Sequence, residues 1–154
     1  MATENNNSPG GFLTYTSVMA TEDDTNISFE DFPTGITIIN HTGSTPINVN
    51  LSEGESYMIA VGSNNGGIQN DLIGSLVSSD KPIVVNSGSG TGSFADGSSG
   101  RDFGIYQIVY FSKVGNEYVF VKGNGGATGN SCENVLVVAH QDNTDIFIGA
   151  NTTA

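Results

Sequence analysis

Two segments of the chain, Val18–Phe29 and Val137–Ile148, carry the same residues at a constant spacing. The matched pairs are Ala20 with Ala139, Asp23 with Asp142, Thr25 with Thr144, and Ile27 with Ile146. A looser copy, Leu76–Val85, lies about halfway between them. A sequence that returns at a fixed interval predicts one supersecondary unit used more than once, so this repeat constrains the fold more than any other feature.

A second motif returns with the same interval. Gly54–Tyr57, followed by Gly62, recurs as Gly115–Tyr118, followed by Gly123. Both motifs return after about 60 residues, within the range of intervals seen in solenoids, propellers and repeat arrays. The two motifs together predict tandem units of about 60 residues.

Short runs of β-branched and aromatic residues fill these units. They are Ile36–Ile39, Ile47–Leu51, Tyr57–Val61, Gln107–Phe111, Tyr118–Val121, and residues 135–140 and 145–148. Asp and Asn between the last two runs favour a hairpin turn. Gly, Asn, Ser or Thr interrupts every window that a helical period would need. The pattern predicts an all-β chain of antiparallel strands.

The predicted architecture is a set of propeller-blade-like tandem repeats, because four or five strands in about 60 residues fit one blade. A closed propeller needs at least about four blades, so residues 12–154 would be a β-repeat module cut from a larger domain. A single β-sandwich is the alternative architecture. Residues 1–11 are polar and predict an N-terminal linker.

The charge balance limits the classes of partner that the chain is expected to bind. Four Lys and Arg stand against 16 Asp and Glu, for a formal net charge of −12. Nucleic acid and anionic membranes need clustered basic residues, so neither is an expected partner. No apolar run approaches the roughly 18 residues of a membrane span, so no membrane insertion is expected. The single Cys132 excludes an internal disulfide.

The stretch from Asn86 to Gly104 predicts a long irregular loop, and long loops on a rigid β-scaffold often carry binding residues. The candidate binding residues in it are Phe94, Asp96, Arg101, Asp102 and Phe103. They would present aromatic and charged groups to a ligand. The alternative is a flexible linker between units, because Gly and Ser fill much of the stretch.

Acidic turns offer a second kind of site. Asp23, Asp24 and Asp142 lie at the tips of predicted hairpins, within residues 18–29 and 137–148, where carboxylates suit a hard cation such as calcium. The same residues cap their own backbone in turns, which is the competing explanation. No cofactor is expected, with calcium kept as the one candidate.

Catalytic motifs are scarce, and the chain is not expected to be an enzyme. It has no Gly-x-Ser-x-Gly elbow, and His41 and His140 are its two histidines, both at predicted strand ends. Two carboxylates paired in space remain an open route to glycoside hydrolysis.

Three stretches together resemble the IgG-Fc-binding protein N-terminal domain family. They are Leu72–Gly88, the run from Gln107 through Val114–Val121, and Glu133–Thr144, in the expected order. The resemblance covers roughly residues 13–150. One departure is Tyr106, where the bacterial pattern has an acidic residue. In bacteria the family looks most like large secreted surface proteins of gliding Bacteroidetes.

The resemblance implies a secreted or cell-surface location, with an export signal outside this chain, and an adhesive or structural role. No Fc-contacting motif maps onto these residues, so Fc as a ligand is not carried over. The expected function is therefore an adhesion module of a larger secreted bacterial protein that binds a protein or glycan ligand. The alternatives are a structural spacer and, third, a carbohydrate-processing propeller.

Overall fold

The computed structural model describes residues 12–63, 72–92, 102–121 and 135–149. Seven strands form within them: β1 (Phe12–Ala20), β2 (Thr25–Glu30), β3 (Ile47–Leu51), β4 (Ser56–Ser63), β5 (Leu76–Ser79), β6 (Ile83–Gly92) and β7 (Asp102–Gln107). A single turn of 3-10 helix, Phe111–Lys113, is the one helical element of these residues. The predicted linker, residues 1–11, lies outside the described part of the chain.

The strands form two sheets, and every strand pair is antiparallel. Sheet A has the order β4-β1-β6-β7, and sheet B has the order β3-β2-β5. The all-β prediction is confirmed. The sheets form a sandwich, which was the alternative architecture, and they do not close into a propeller. Tandem repeats of about 60 residues stay a prediction.

The short turns connect the two sheets, where hairpins were predicted. β1 lies in sheet A and β2 in sheet B, so the hairpin prediction for residues 18–29 is wrong. The turns from β3 to β4 and from β5 to β6 also cross between the sheets. Because the registers place the same strand ends side by side, the three turns meet at one end of the sandwich. Hydrogen bonds join them, including Gly54 N–H to the Ala20 carbonyl at 2.9 Å.

The core lies between the sheets and follows the alternation of each strand. In β2, Thr25, Ile27 and Phe29 are at most 2% exposed, while the residues between them face outward. The other core residues are Val18 and Ala20 of β1, Ile59 and Val61 of β4, Ile47 and Leu51 of β3, and Ile38. Burial of this apolar face is the main source of the sandwich's stability.

Several predicted strands are absent from the described residues. Within Gln107–Phe111, only Gln107 belongs to a strand, and Tyr118–Val121 and residues 135–140 and 145–148 form none. Their large apolar side chains are at least 48% exposed, and Ile148 reaches 96%. A strand needs a neighbour for its backbone hydrogen bonds. Among the described residues these segments pair with no strand, apart from one hydrogen bond from Ile108 N–H to the Val85 carbonyl at 2.8 Å. Ile36–Ile39 contributes a single bridge, from Ile38 to Val61.

The loop prediction is wrong at both ends of Asn86–Gly104. β6 extends to Gly92 and β7 begins at Asp102, so most of Asn86–Gly104 is strand. Ser and Gly have low strand propensity, but β6 is a central strand that pairs with both β1 and β7. Pairing on both sides outweighs propensity here. In the part of the chain that is described, no helix is long and apolar enough to cross a membrane.

Candidate functional site

The predicted binding residues fall around the β6–β7 connection. Phe94, Asp96 and Arg101 lie outside the described residues, and Asp102 is the first residue of β7. Phe103 is the one whose side chain can be placed, and it is 64% exposed. Its ring stacks on the ring of Tyr15, with centroids 6.3 Å apart and planes 28° apart.

Tyr15 and Phe103 belong to the outer surface of sheet A. Val18 and Ala20 face the core, so alternation turns Leu13, Tyr15 and Met19 of β1 away from it. Residues opposite each other in neighbouring antiparallel strands share a face. The register therefore adds Met58 (opposite Ser17), and Ile105 (opposite Gly88, which is opposite Tyr15). We call Leu13, Tyr15, Met19, Met58, Phe103 and Ile105 the apolar face.

The centre of the apolar face depends on a glycine. A Cβ at Gly88 would collide with the carbonyl oxygen of Gly104 and lie 2.9 Å from the Tyr15 hydroxyl. Without a side chain at Gly88, Tyr15 packs down to 8% exposure and supports Phe103 from below. A glycine inside a strand commonly marks such a close approach. The phenyl ring is thus held in place while most of it remains accessible.

The apolar face is neutral and solvent-accessible. Its exposed members range from 39% for Leu13 and Met19 to 58% for Met58 and 64% for Phe103. None of its six side chains carries a charge, although the whole chain has a formal charge of −12. By the same registers, the uncharged residues Ser17 and Asn86 share this surface with the apolar side chains. Exposed apolar side chains gathered on one sheet surface are typical of interaction surfaces.

The outer surface of sheet B has the opposite chemistry. Asn26, Ser28, Asn48, Asn50, Ser78 and Asp80 line a shallow depression of about 640 Å³, and we call these residues the polar face. Asn50 Nδ2 donates to Asn26 Oδ1 at 3.0 Å, and Asn26 Nδ2 donates to Asp80 Oδ2 at 2.7 Å. Several of these polar groups therefore bind one another, which supports a structural role for them.

Asp80 is the residue of the polar face with a perturbed pKa. The side-chain hydrogen bond from Asn26 lowers the pKa of the Asp80 carboxyl below its ordinary value of 3.8, and the Asn26 backbone N–H adds to this effect. That N–H donates to Asp80 Oδ1 at 2.8 Å. Both donors favour the ionised carboxylate. Through these two hydrogen bonds, Asp80 connects the start of β2 to the β5–β6 turn.

The residues predicted as calcium candidates take part in the hydrogen bonding and backbone conformation of the turns. Asp23 Oδ1 accepts a hydrogen bond from Glu53 N–H at 3.0 Å, and Lys81 Nζ donates to the Asp23 carbonyl. Asp24 has a φ of +53°, the left-handed conformation that Asp tolerates in turns. Asp142 precedes Asn143, which has a φ of +59°. Among the described residues, no group of three or more His, Cys, Asp or Glu side chains could hold a metal ion.

The two copies of the acidic turn have the same local geometry. Thr25 Oγ1 donates to the Glu22 carbonyl at 2.7 Å, and Thr144 Oγ1 donates to the Gln141 carbonyl at 2.7 Å. Each Thr follows a residue with positive φ. The matched residues therefore fix a matched turn, through hydrogen bonds that stay within the turn.

Sequence reasoning missed the apolar face except for Phe103. Tyr15 and Gly88 are far apart in sequence, and they meet only because β1 pairs with β6. One signal was available: β1 carries large apolar side chains at Leu13 and Met19 as well as at Val18, which points to contacts on both faces of the strand.

A family model described as IgGFc binding protein matches residues 1–154. No curated protein matches the chain. No solved structure matches it either.

Proposed function

The chain belongs to the IgGFc binding protein family, and from that premise we propose that it is an extracellular protein-binding module whose contact surface is the apolar face. The family supports a surface location and a protein ligand. A module that lies outside the cell and binds a protein would attach its parent to that protein, so we propose an adhesive role. A larger secreted protein of gliding Bacteroidetes is the proposed parent.

The observation that carries the proposal is the stacked pair of Tyr15 and Phe103 at the centre of a neutral apolar surface. Protein interfaces are enriched in Tyr, Phe and Met at their centre and depleted of charge there. Rings held in place before binding lose little conformational freedom when a partner covers them. The Tyr15–Phe103 stack and the Gly88 position beneath it provide that preorganisation.

The ligand class follows from the same surface. A glycan would need several polar side chains to donate and accept hydrogen bonds, and the apolar face offers few. The polar face has such groups, but several of them already bind one another. A protein with an apolar patch is therefore the preferred ligand. The family is described by IgG Fc binding, so an Fc fragment belongs among the probes.

A structural spacer is the second candidate function. The mutual hydrogen bonds of Asn26, Asn50 and Asp80 favour it, because they suit a rigid element whose polar side chains bind one another. A catalytic role is not proposed. His41 Nε2 lies 3.4 Å from the Ser44 carbonyl, and the ring of His140 packs against Phe111 at 3.6 Å between centroids.

The test compares Met58→Asp with Asn48→Asp. Both positions are exposed, so both variants are expected to fold, and both gain one negative charge. Binding is measured by biolayer interferometry against immobilised extracellular proteins, including the IgG Fc fragment, and against immobilised polysaccharides. We expect a protein ligand whose dissociation constant rises at least about tenfold with Met58→Asp, because a charge in an interface core is costly to desolvate.

Asn48→Asp is the control and should leave binding unchanged. Binding to polysaccharides alone would contradict the protein-ligand proposal. Equal loss in the two variants, or none in Met58→Asp, would contradict the assignment to the apolar face. Two results together would favour the spacer function. No ligand would be found, and the parent protein would still attach to its surface when an unrelated β-module replaces this one.

A further inference from the structure

The two acidic turns connect segments with opposite burial. We call residues 18–29 the first corner and residues 137–148 the second corner. The matched positions are Val18 (1% exposed) with Val137 (54%), Ile27 (2%) with Ile146 (59%), and Phe29 (1%) with Ile148 (96%). The residues that build the core of the sandwich in the first corner are uncovered in the second.

The first corner shows which kind of strand covers such residues. β4 pairs with β1 so that Tyr57 lies opposite Val18 and Ile59 lies opposite Thr16. Gly54, at the turn before β4, has a φ of +78° and donates its N–H to the Ala20 carbonyl. The first Gly-x-x-Tyr motif thus begins at the turn that leads into β4, the strand that pairs with β1.

A second segment with this sequence pattern is present in the chain, and its side chains are also exposed. Gly115–Val121 repeats the Gly-x-x-Tyr motif, with Tyr118 at the position of Tyr57. Its apolar side chains are 58% exposed at Tyr118, 85% at Val119, 63% at Phe120 and 86% at Val121. Gly115–Val121 and the strand-like run at residues 135–139 are both described in the single chain, and they are not paired with each other there.

We propose that residues 135–139, which lead into the second corner, form an interface between two copies of this chain. Residues 135–139 of one copy pair antiparallel with Gly115–Val121 of the other, with Val137 opposite Tyr118, as Val18 lies opposite Tyr57 in β1 and β4. Each copy provides both strands, so a twofold-symmetric dimer forms the pairing twice. The pairing supplies backbone hydrogen bonds that neither segment makes to another strand within the described residues, and it places Val137 beside Tyr118.

Disulfide trapping tests the pairing and its register. Tyr118→Cys and Val137→Cys are introduced together into the full chain carrying Cys132→Ser, so that no other thiol is present. Cα atoms of opposite residues in antiparallel strands are about 5 Å apart, which a disulfide spans. Under mild oxidation we expect a covalent dimer on a non-reducing gel. The matched control pairs Tyr118→Cys with Leu136→Cys, which points to the opposite face and should yield about tenfold less dimer.

Three results would overturn the proposal: no crosslink, a crosslink within one chain, or equal dimer yields from the two cysteine pairs. Size-exclusion chromatography with light scattering gives a second measurement without cysteines. Val137→Asp should shift the protein from dimer to monomer, while Met58→Asp on the apolar face should leave the dimer unchanged. If the chain without substitutions is monomeric at high protein concentration, that result would also contradict the proposed dimer. Because the variants differ, loss of self-association is separable from loss of a protein ligand.

Discussion

The first and second corners make the same turn in opposite surroundings. Both have a residue of positive φ followed by a Thr whose hydroxyl donates to a carbonyl three residues earlier. β1 and β2 of the first corner are central strands of sheets A and B, each with neighbours on both sides. The second corner has no strand neighbour in the described residues. Local side-chain hydrogen bonds therefore determine the turn, while paired strands and the facing sheet determine whether its apolar residues are buried.

The largest expected contrast comes from truncating the matched residues Phe29 and Ile148. Phe29 is 1% exposed and packs against Tyr57 at 6.0 Å between ring centroids. Phe29→Ala should lower the free energy of unfolding by about 3–5 kcal/mol, since it leaves a cavity in the core. Ile148→Ala should change it by less than about 0.5 kcal/mol. Urea unfolding of the two variants measures both changes in free energy. Similar losses of stability in the two variants would contradict the proposed difference between the two corners.

A smaller contrast is expected between two glycines. Gly88→Ala places a methyl group against the Gly104 carbonyl and Tyr15, so we expect a loss of about 1–3 kcal/mol from overpacking. Gly149, next to the second corner, has nothing within 4 Å of an added Cβ. Gly149→Ala should be neutral. Thermal melts followed by circular dichroism provide the comparison, and a neutral Gly88→Ala would mean that the apolar face is loosely packed.

A still smaller difference in unfolding free energy is expected between variants of the matched threonines, Thr25 and Thr144. Thr25 is fully buried, whereas Thr144 is exposed. Thr25→Val keeps the shape but removes the hydrogen bond to the Glu22 carbonyl, at an expected loss of about 1 kcal/mol. Thr144→Val should cost less, because water can replace the hydroxyl at an exposed carbonyl. The free energies of unfolding from urea titrations check this order, which equal effects would contradict.

The smallest effect concerns pH and the Asp80 contact of the first corner. The folded-state pKa of Asp80 lies below its ordinary value of 3.8. Its contribution to stability is therefore complete above that value and is lost as pH falls through the lowered folded pKa. Asp80→Asn should flatten the decline of stability with acid below pH 3.8. Melts across this range measure the slope, and an unchanged slope would mean that Asp80 does not contribute.

The alternation of apolar residues predicted the strands that have neighbours. Ile47–Leu51 coincides with β3, and Tyr57–Val61 lies inside β4. The same pattern predicted strands at Tyr118–Val121 and at residues 145–148, where the structure has none. Alternation reports that a segment can pair, but the pairing partner is not encoded within the segment.

Two features were beyond sequence reasoning for physical reasons. A turn built from Asp, Asn and Thr can close a hairpin or join two sheets, since its hydrogen bonds are local in both cases. β6 was missed at residues 86–92 because its residues there are poor strand formers that are kept in place by β1 and β7. The apolar face depends on both features, so only Phe103 of its members was predicted.

Hydrogen exchange of the backbone amides tests the contrast between the two corners most directly. We predict that amides of residues 26–29 exchange slowly, through global unfolding, because β2 is the central strand of sheet B. Amides of residues 145–148, which stay outside the proposed dimer pairing, should exchange at nearly unprotected rates. Equal protection of the two segments would contradict the contrast and would mean that the second corner is already buried within the single chain.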